Sequence, residues 1–320
     1  MSVMGLPRAA IHLLIQEAAR TQWHGRIGTL GRQHVYATYK EVRSLAKKTP
    51  RSFLDIDPQL HREPELRKAG FLSDDSLYEF LGFEQSVRID RSDYEGAEEA
   101  LDLNSAETPN HLKNSFDLVL DSGTIEHVFE IGRAIQHCLQ MAKIGGRVIH
   151  LTPTSNAVNH GFFSVSPALF ADFYRANGCE IEKLWLCRMK GDFVRGSWDV
   201  YDCLSSNRNW LPLGRLDGAI WLTYAVVKKV ATIERQTPQQ SFYVDTWQSS
   251  SNGIDEKERE SRQFNESNQF GKAERLLEAT KNWRTIHWIA NHVISTWRNW
   301  INATREKREG KVPYHYVGRF

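Results

Sequence analysis

The chain has 320 residues, 41% apolar and 25% charged, a mixture ordinary for a globular protein and unlike a disordered or fibrous one. Its 41 basic and 39 acidic residues leave a formal charge of +2, too balanced for the basic footprint of a nucleic-acid binder. No stretch approaches the ~20 apolar residues that a membrane-crossing helix needs.

The N-terminal apolar run, Ala9 to Ile15, contains His12 and leads into Glu17 and Arg20, so it does not read as a secretion signal. Residues Pro7 to Thr21 instead suggest a lead-in helix, with proline in the first turn and Ala10, Leu13, Leu14 and Ala18 along one side. Gly25 to Gln33 holds a short strand ending in a glycine turn, and Tyr36 to Lys47 is helical in character. Thr49 to Gly70 is irregular and charged. The cluster Ser73-Asp74-Asp75-Ser76 caps a helix carrying Leu77, Phe80 and Leu81, with Gly82 as its stop. Gln85 to Asp90 is a strand ending in a carboxylate, and Ala97 to Leu103 is a further strand candidate.

Phe116-Asp117-Leu118-Val119-Leu120-Asp121 is a buried-strand run followed by the polar turn Ser122-Gly123-Thr124. Ile131, Ile135, Leu139 and Met141 recur at helical spacing, Gly145-Gly146 is expected to stop that helix, and Arg147 to Leu151 reads as the next strand. Together they predict a βαβ unit of a parallel sheet, with chemistry beyond the carboxyl ends of its strands. Ser166 and Pro167 open a helix to Asn177 that Gly178 ends. Glu180 to Cys187 and Ala219 to Val230 are strand-like, and the polar Met189 to Gly218 between them could rim a pocket.

From Thr232 to Gly271 the chain is rich in Gln, Ser, Asn, Glu and Arg and reads as a partly disordered linker. Apolar residues from Leu276 to Ile301 then follow helical spacing, with Arg and Lys around them. That tail helix can dock on the main domain, mediate self-association, or lie on a membrane surface. The domain reading is a lead-in helix over 1–24, a core domain over 25–231, a linker over 232–271 and a helical tail over 272–320. Cys138, Cys179, Cys187 and Cys203 have neither C-x-x-C pairing nor His spacing, so no metal site is read from them. They are expected to be structural thiols of a reducing, cytoplasmic compartment.

The order of these elements, with Phe-Asp-Leu-Val-Leu-Asp, Ile125-Glu126-His127-Val128 and Gly145-Gly146-Arg147-Val148-Ile149, resembles class I S-adenosylmethionine-dependent methyltransferases over about Gly25 to Val230. His160-Gly161-Phe162-Phe163 with Ser166-Pro167 is also similar to methyltransferases of cell-surface polysaccharide gene clusters. The resemblance implies a Rossmann-like α/β fold with a seven-stranded, mostly parallel sheet closed by an antiparallel hairpin. It further implies S-adenosylmethionine as cofactor and methyl transfer to a small molecule or sugar, at oxygen.

Carried over residue by residue, it puts Asp90 against the ribose hydroxyls and Asp102, Leu103 and Asn104 at the adenine edge. It puts Asp121, Ser122 and Gly123 beneath the methionine part. The turn after the first strand departs from the family's G-x-G-x-G-like loop: only Gly31 is well placed, and Arg32 and Gln33 stand where small residues are usual. Either those two side chains touch the methionine carboxylate, or cofactor binding is impaired and the chain is a catalytically silent scaffold on the same fold. The missing G-x-G-x-x-G argues against a dehydrogenase. For the chemical step the candidates are His127 and His160, since an imidazole can take a hydroxyl proton near neutral pH, while His150 is expected to pack inside.

Overall fold

Strand β4 (Phe116–Ser122) is buried along nearly its whole length, as a strand covered on both faces must be. In the computed structural model, which describes residues 5–93, 95–204, 216–232, 234–251 and 314–320, it lies inside one large sheet. The other strands are β1 (Arg26–Leu30), β2 (Gln85–Asp90), β3 (Glu99–Ala100), β5 (Ala142–Ser155), β6 (Cys179–Lys190), β7 (Ser197–Asp202), β8 (Trp221–Lys229) and β9 (His315–Arg319). Their spatial order is β3-β2-β1-β4-β5-β8-β6-β7-β9. Neighbours from β3 to β5 are parallel. β8 is inserted antiparallel between β5 and β6, and β7 and β9 continue antiparallel. The result is a mixed α/β fold built on one large sheet, parallel on one side and extended antiparallel at the other.

Side chains alternate across a strand, so the two faces of β4 and β5 have different partners. Leu118, Leu120, Ile149 and Leu151 share a core with α1 (Arg8–Thr21), α2 (Tyr39–Ala46) and α4 (Asp74–Leu81). On the other face His150 stacks on Phe170 of α6 (Pro167–Ala176), with ring centroids 4.6 Å apart. Capping is as local chemistry demands. Thr38 and Glu41 form a reciprocal box at α2, Ser73 accepts from Ser76 N at α4, and Gly82 ends α4 in the left-handed region.

The sheet has nine strands among the described residues rather than seven. β7 comes from the polar segment after Met189, and β9 from residues assigned to the tail. The third strand shrinks to Glu99–Ala100, and the irregular Thr49–Gly70 region contains the short helix α3 (Pro64–Lys68).

Gly145-Gly146 does not stop the helix. α5 (Ile131–Met141) ends at Met141, and β5 begins at once. A Cβ on Gly146 would stand 3.0 Å from the carbonyl oxygens of Phe116, Asp117 and Lys143. The glycine therefore permits close approach at the irregular start of the β4–β5 ladder.

The chain forms two compact units. The first comprises residues 1–211, 218–239 and 314–320 and carries the sheet; the second comprises 212–217 and 240–313. Within the second, Ser241–Ser251 is helix α7, in a stretch read as linker. The predicted tail helix lies outside the described residues. No helix among the described residues is long and apolar enough to cross a membrane. The four cysteines are free, and burial pushes the Cys179 thiol up to about 11.

Candidate functional site

Parallel pairing aligns the carboxyl ends of β1, β2, β4 and β5, so the turns after Leu30, Asp90, Ser122 and Ser155 gather on one side of the sheet. Beside the β4 and β5 ends lies a cavity of about 310 Å³. Leu151, Pro153, Phe193, Trp198, Ile220 and Leu222 make its walls apolar. Ser122, Gly123, Glu126, Asn156, Asn159 and His160 bring polar groups and open backbone to it, and Gly5 and Pro7 border it. Few polar groups in an apolar hollow is the usual composition of a small-molecule site.

Glu126 is the unusual member. It sits on a single tight turn, Ile125–His127, and is 0% exposed, yet neither carboxylate oxygen has a hydrogen-bond partner among the described residues. Nε2 of His160 stands 3.4 Å from its Oε1, an ion-pair distance without hydrogen-bond geometry. Burial pushes the Glu126 carboxyl above its ordinary range, against the pull of His160. The carboxylate raises His160 in return, whereas burial and the neighbouring His160 lower His127. The two imidazole rings lie 5.0 Å apart, centre to centre.

The loop carrying His160 is fastened to the same turn. Phe162 N and Phe163 N donate to the Glu126 carbonyl, at 2.8 and 3.2 Å. Gly161 makes this possible, because a Cβ there would stand 2.7 Å from that oxygen and 3.0 Å from Glu126 Cγ. Asn156 and Asn159 turn the loop with φ of 62° each, a conformation asparagine tolerates better than most residues.

The residues expected from sequence fall into three groups. Ser122, Gly123 and His160 border the cavity, with His127 against His160 at its edge. Gly31 and Asp90 face each other across the β1 and β2 ends. Gly31 has φ +69°, and a Cβ on it would come within 3.4 Å of Asp90 Oδ2. Asp90 Oδ1 accepts from Arg91 N. Asp102 Oδ1 accepts from the backbone and side chain of Asn104, Leu103 is buried, and Asn104 Oδ1 accepts from Glu130 N at the start of α5.

The third group is engaged inside the protein. Arg32 donates to Asp74 through Nη1 at 2.9 Å, to Glu95 O through Nε and to Gly96 O through Nη2. Asp74 also accepts from Arg88, which pairs with Asp75 and Glu98, so Arg32 belongs to a largely buried charge network. Gln33 is buried and donates to Leu30 O. Asp121 is fully buried. It accepts from Thr124 N and Ile125 N and meets Nδ1 of His150 at 2.7 Å, and His150 Nε2 reaches Tyr174 OH at 2.6 Å. Asp121 therefore braces the turn from below, and His150 packs inside as its place on the strand suggests.

Nothing near Glu126 in the sequence marks it, because its neighbour in the site is His160, brought against it by a distant loop. The available signal was the glycine immediately after His160. Phe193 and Trp198 were equally hidden in the polar segment they come from.

No family model and no curated protein matches this chain. Among solved structures it is similar to the YcgJ protein from Bacillus subtilis, at 10% identity and a TM-score of 0.34, covering 68% of this chain and 97% of that one. It is also similar to MccD protein, at 10% identity and a TM-score of 0.30, covering 69% and 96%. An S-adenosylmethionine dependent methyltransferase from Mesorhizobium loti aligns at 16% identity and a TM-score of 0.23, covering 65% and 73%. At such low scores and identities, nothing about the site is carried over from them.

Proposed function

We propose that the chain is a methyltransferase that uses S-adenosylmethionine to methylate a hydroxyl of a small molecule or sugar. The observation that carries this reading is the cavity holding Glu126 and His160 beside the β4 and β5 ends, in a sheet where the turn after β1 keeps Gly31 open toward Asp90. Asp90 would accept from the ribose hydroxyls, the Asp102–Asn104 turn would meet the base, and Ser122 and Gly123 would underlie the methyl-bearing end. Arg32 and Gln33 are not proposed as holders, because the donors they would offer a carboxylate are engaged inside the protein, the Arg32 guanidinium with Asp74 and the Gln33 amide nitrogen with Leu30 O.

When bound, the cofactor supplies an activated methyl and a neutral thioether leaving group. The protein's share is to hold the acceptor in line, exclude water with the apolar walls, and assist loss of the hydroxyl proton. His127 and His160 are proposed to act on that hydroxyl at the cavity edge.

The test is calorimetric titration of the full chain with S-adenosylhomocysteine. Binding is expected, and Asp90→Ala should weaken it by about ten- to a hundredfold through loss of its charged hydrogen bonds. No detectable binding at millimolar ligand would overturn the enzyme reading. It would favour a second one, a catalytically silent scaffold, for which the engagement of Arg32 and Gln33 within the protein speaks.

A further inference from the structure

A buried carboxylate with two unpartnered oxygens needs something to satisfy it, and a single imidazole at ion-pair distance satisfies one oxygen at best. One ligand atom each from Glu126, His127 and His160 lies within 4.8 Å of the other two. A tetrahedral ion with bonds of ~2.1 Å spaces its ligands roughly 3.4 Å apart, the distance already found between Glu126 Oε1 and His160 Nε2. His127 is exposed on a single turn, so its ring can close the remaining gap by side-chain rotation.

We propose that Glu126, His127 and His160 bind one divalent transition-metal cation of the Zn²⁺ type, with its remaining positions open to the cavity. Two imidazoles and a carboxylate suit zinc and its neighbours rather than calcium or magnesium, which prefer all-oxygen sites. Three protein ligands and an open side are the arrangement of a reactive site rather than a structural one. The backbone supports the geometry beforehand. Phe162 N, Phe163 N and the missing side chain of Gly161 hold the His160 loop against the Glu126 turn.

The proposal rests on the methyl-transfer reading only for what the ion acts on. Without the ion the two imidazoles act on the hydroxyl directly; with it in place they act through the ion, as its ligands, and take no proton themselves. The acceptor hydroxyl beside the ion becomes more acidic and releases its proton to water. The oxygen–methyl bond forms as the sulfur–methyl bond breaks.

A second cluster, His34, His61 and Glu63, has comparable spacing but a different character. His61 Nδ1 accepts from Glu63 N at 3.0 Å, which leaves its Nε2 to carry the proton facing His34 Nδ1 at 3.2 Å. These lone pairs are in use, and the cluster serves as an internal control.

The test titrates the full chain, without cofactor, with Zn²⁺ by calorimetry and with Co²⁺ by visible absorption. One ion per chain is expected, with the cobalt bands of a tetrahedral nitrogen and oxygen site. His127→Ala and His160→Ala should each weaken binding at least tenfold, while the His34→Ala, His61→Ala double variant should bind as before. His127 is exposed, so its variant should keep the far-ultraviolet circular dichroism of the parent. Unchanged affinity in both cavity variants, loss of binding in the control variant, or no stoichiometric binding by the folded chain would each overturn the proposal. The ion is titrated without cofactor and S-adenosylhomocysteine without ion, so the two readings fail separately.

Discussion

Replacing Asp121 tests whether that carboxylate is a brace or a ligand contact. Asp121→Ala removes the acceptor of three donors at once: Thr124 N at 3.1 Å, Ile125 N at 3.3 Å and His150 Nδ1 at 2.7 Å. His150 and Asp121 are both fully buried, so the donors on that side are left without water. Losing the carboxylate acceptor of a buried hydrogen bond such as that from His150 costs about 3 kcal/mol. Orphaned backbone donors cost about 1–3 kcal/mol each, but they overlap with that figure rather than adding to it. We therefore expect a loss of about 3 kcal/mol, a large part of the ~5–15 kcal/mol that holds an ordinary domain together.

Asp121→Asn keeps an oxygen for the two backbone donors and disturbs only the contact with His150, and should cost about 1–2 kcal/mol. Urea denaturation measures both, provided the m-values match the parent. Tyr174→Phe, at the far end of the same chain of contacts, should be non-additive with Asp121→Asn by at least ~0.5 kcal/mol. The reasoning is refuted if Asp121→Ala costs less than ~1 kcal/mol. It is equally refuted if Asp121→Asn leaves stability untouched while abolishing S-adenosylhomocysteine binding, since the carboxylate would then face the cofactor.

Two further outcomes follow from the same geometry. Gly161→Ala places a methyl 2.7 Å from the Glu126 carbonyl, so the His160 loop must lift. Stability should fall by about 1–3 kcal/mol, and Zn²⁺ binding should weaken together with it; an unaltered titration would show that the loop is not held there. His12 on α1 is lowered to about 4 by burial, with Lys48 and Arg8 adding to the effect. The unfolded chain therefore takes a proton below pH ~6.5 that the folded chain refuses until about 4. Stability from this group is whole above pH ~6.5 and is lost as pH falls through that window, by about 3 kcal/mol at most. His12→Gln should flatten the stability profile between those limits, and an unchanged slope would remove His12 as its source.

Much of the fold was legible because its signals are local. Ser73, Asp74 and Gly82 mark the ends of α4 through their own backbone chemistry, and β4 and α5 follow from unbroken apolar patterns within a few residues. β7 and β9 were not legible, because each becomes a strand only through its partner: Trp198 and Phe320 exchange both backbone hydrogen bonds across 122 residues of sequence. Ser197–Asp202 alternates Trp198 and Val200 with polar residues, but the run is too short to stand out in the polar segment around it.

The same distinction divides the site. Asp90 at a strand end and Gly31 in a left-handed turn were readable as types. That Arg32 would be taken by Asp74, or that Glu126 would find His160 instead of its neighbour His127, depends on distant segments brought together.

β9 changes what the region beyond β8 means for the rest of the molecule. The chain leaves the sheet after Lys229 and rejoins it at His315, so the outermost strand is supplied from far along the sequence. Cutting the protein after β8 would strip β7 of its outer neighbour, take Arg319 from Asp199, and remove the Phe320 ring that packs near His12 and Trp185. Such a shortened protein would carry a bare β7 edge ready to pair with another copy, and would fail by self-association before it lost any chemistry.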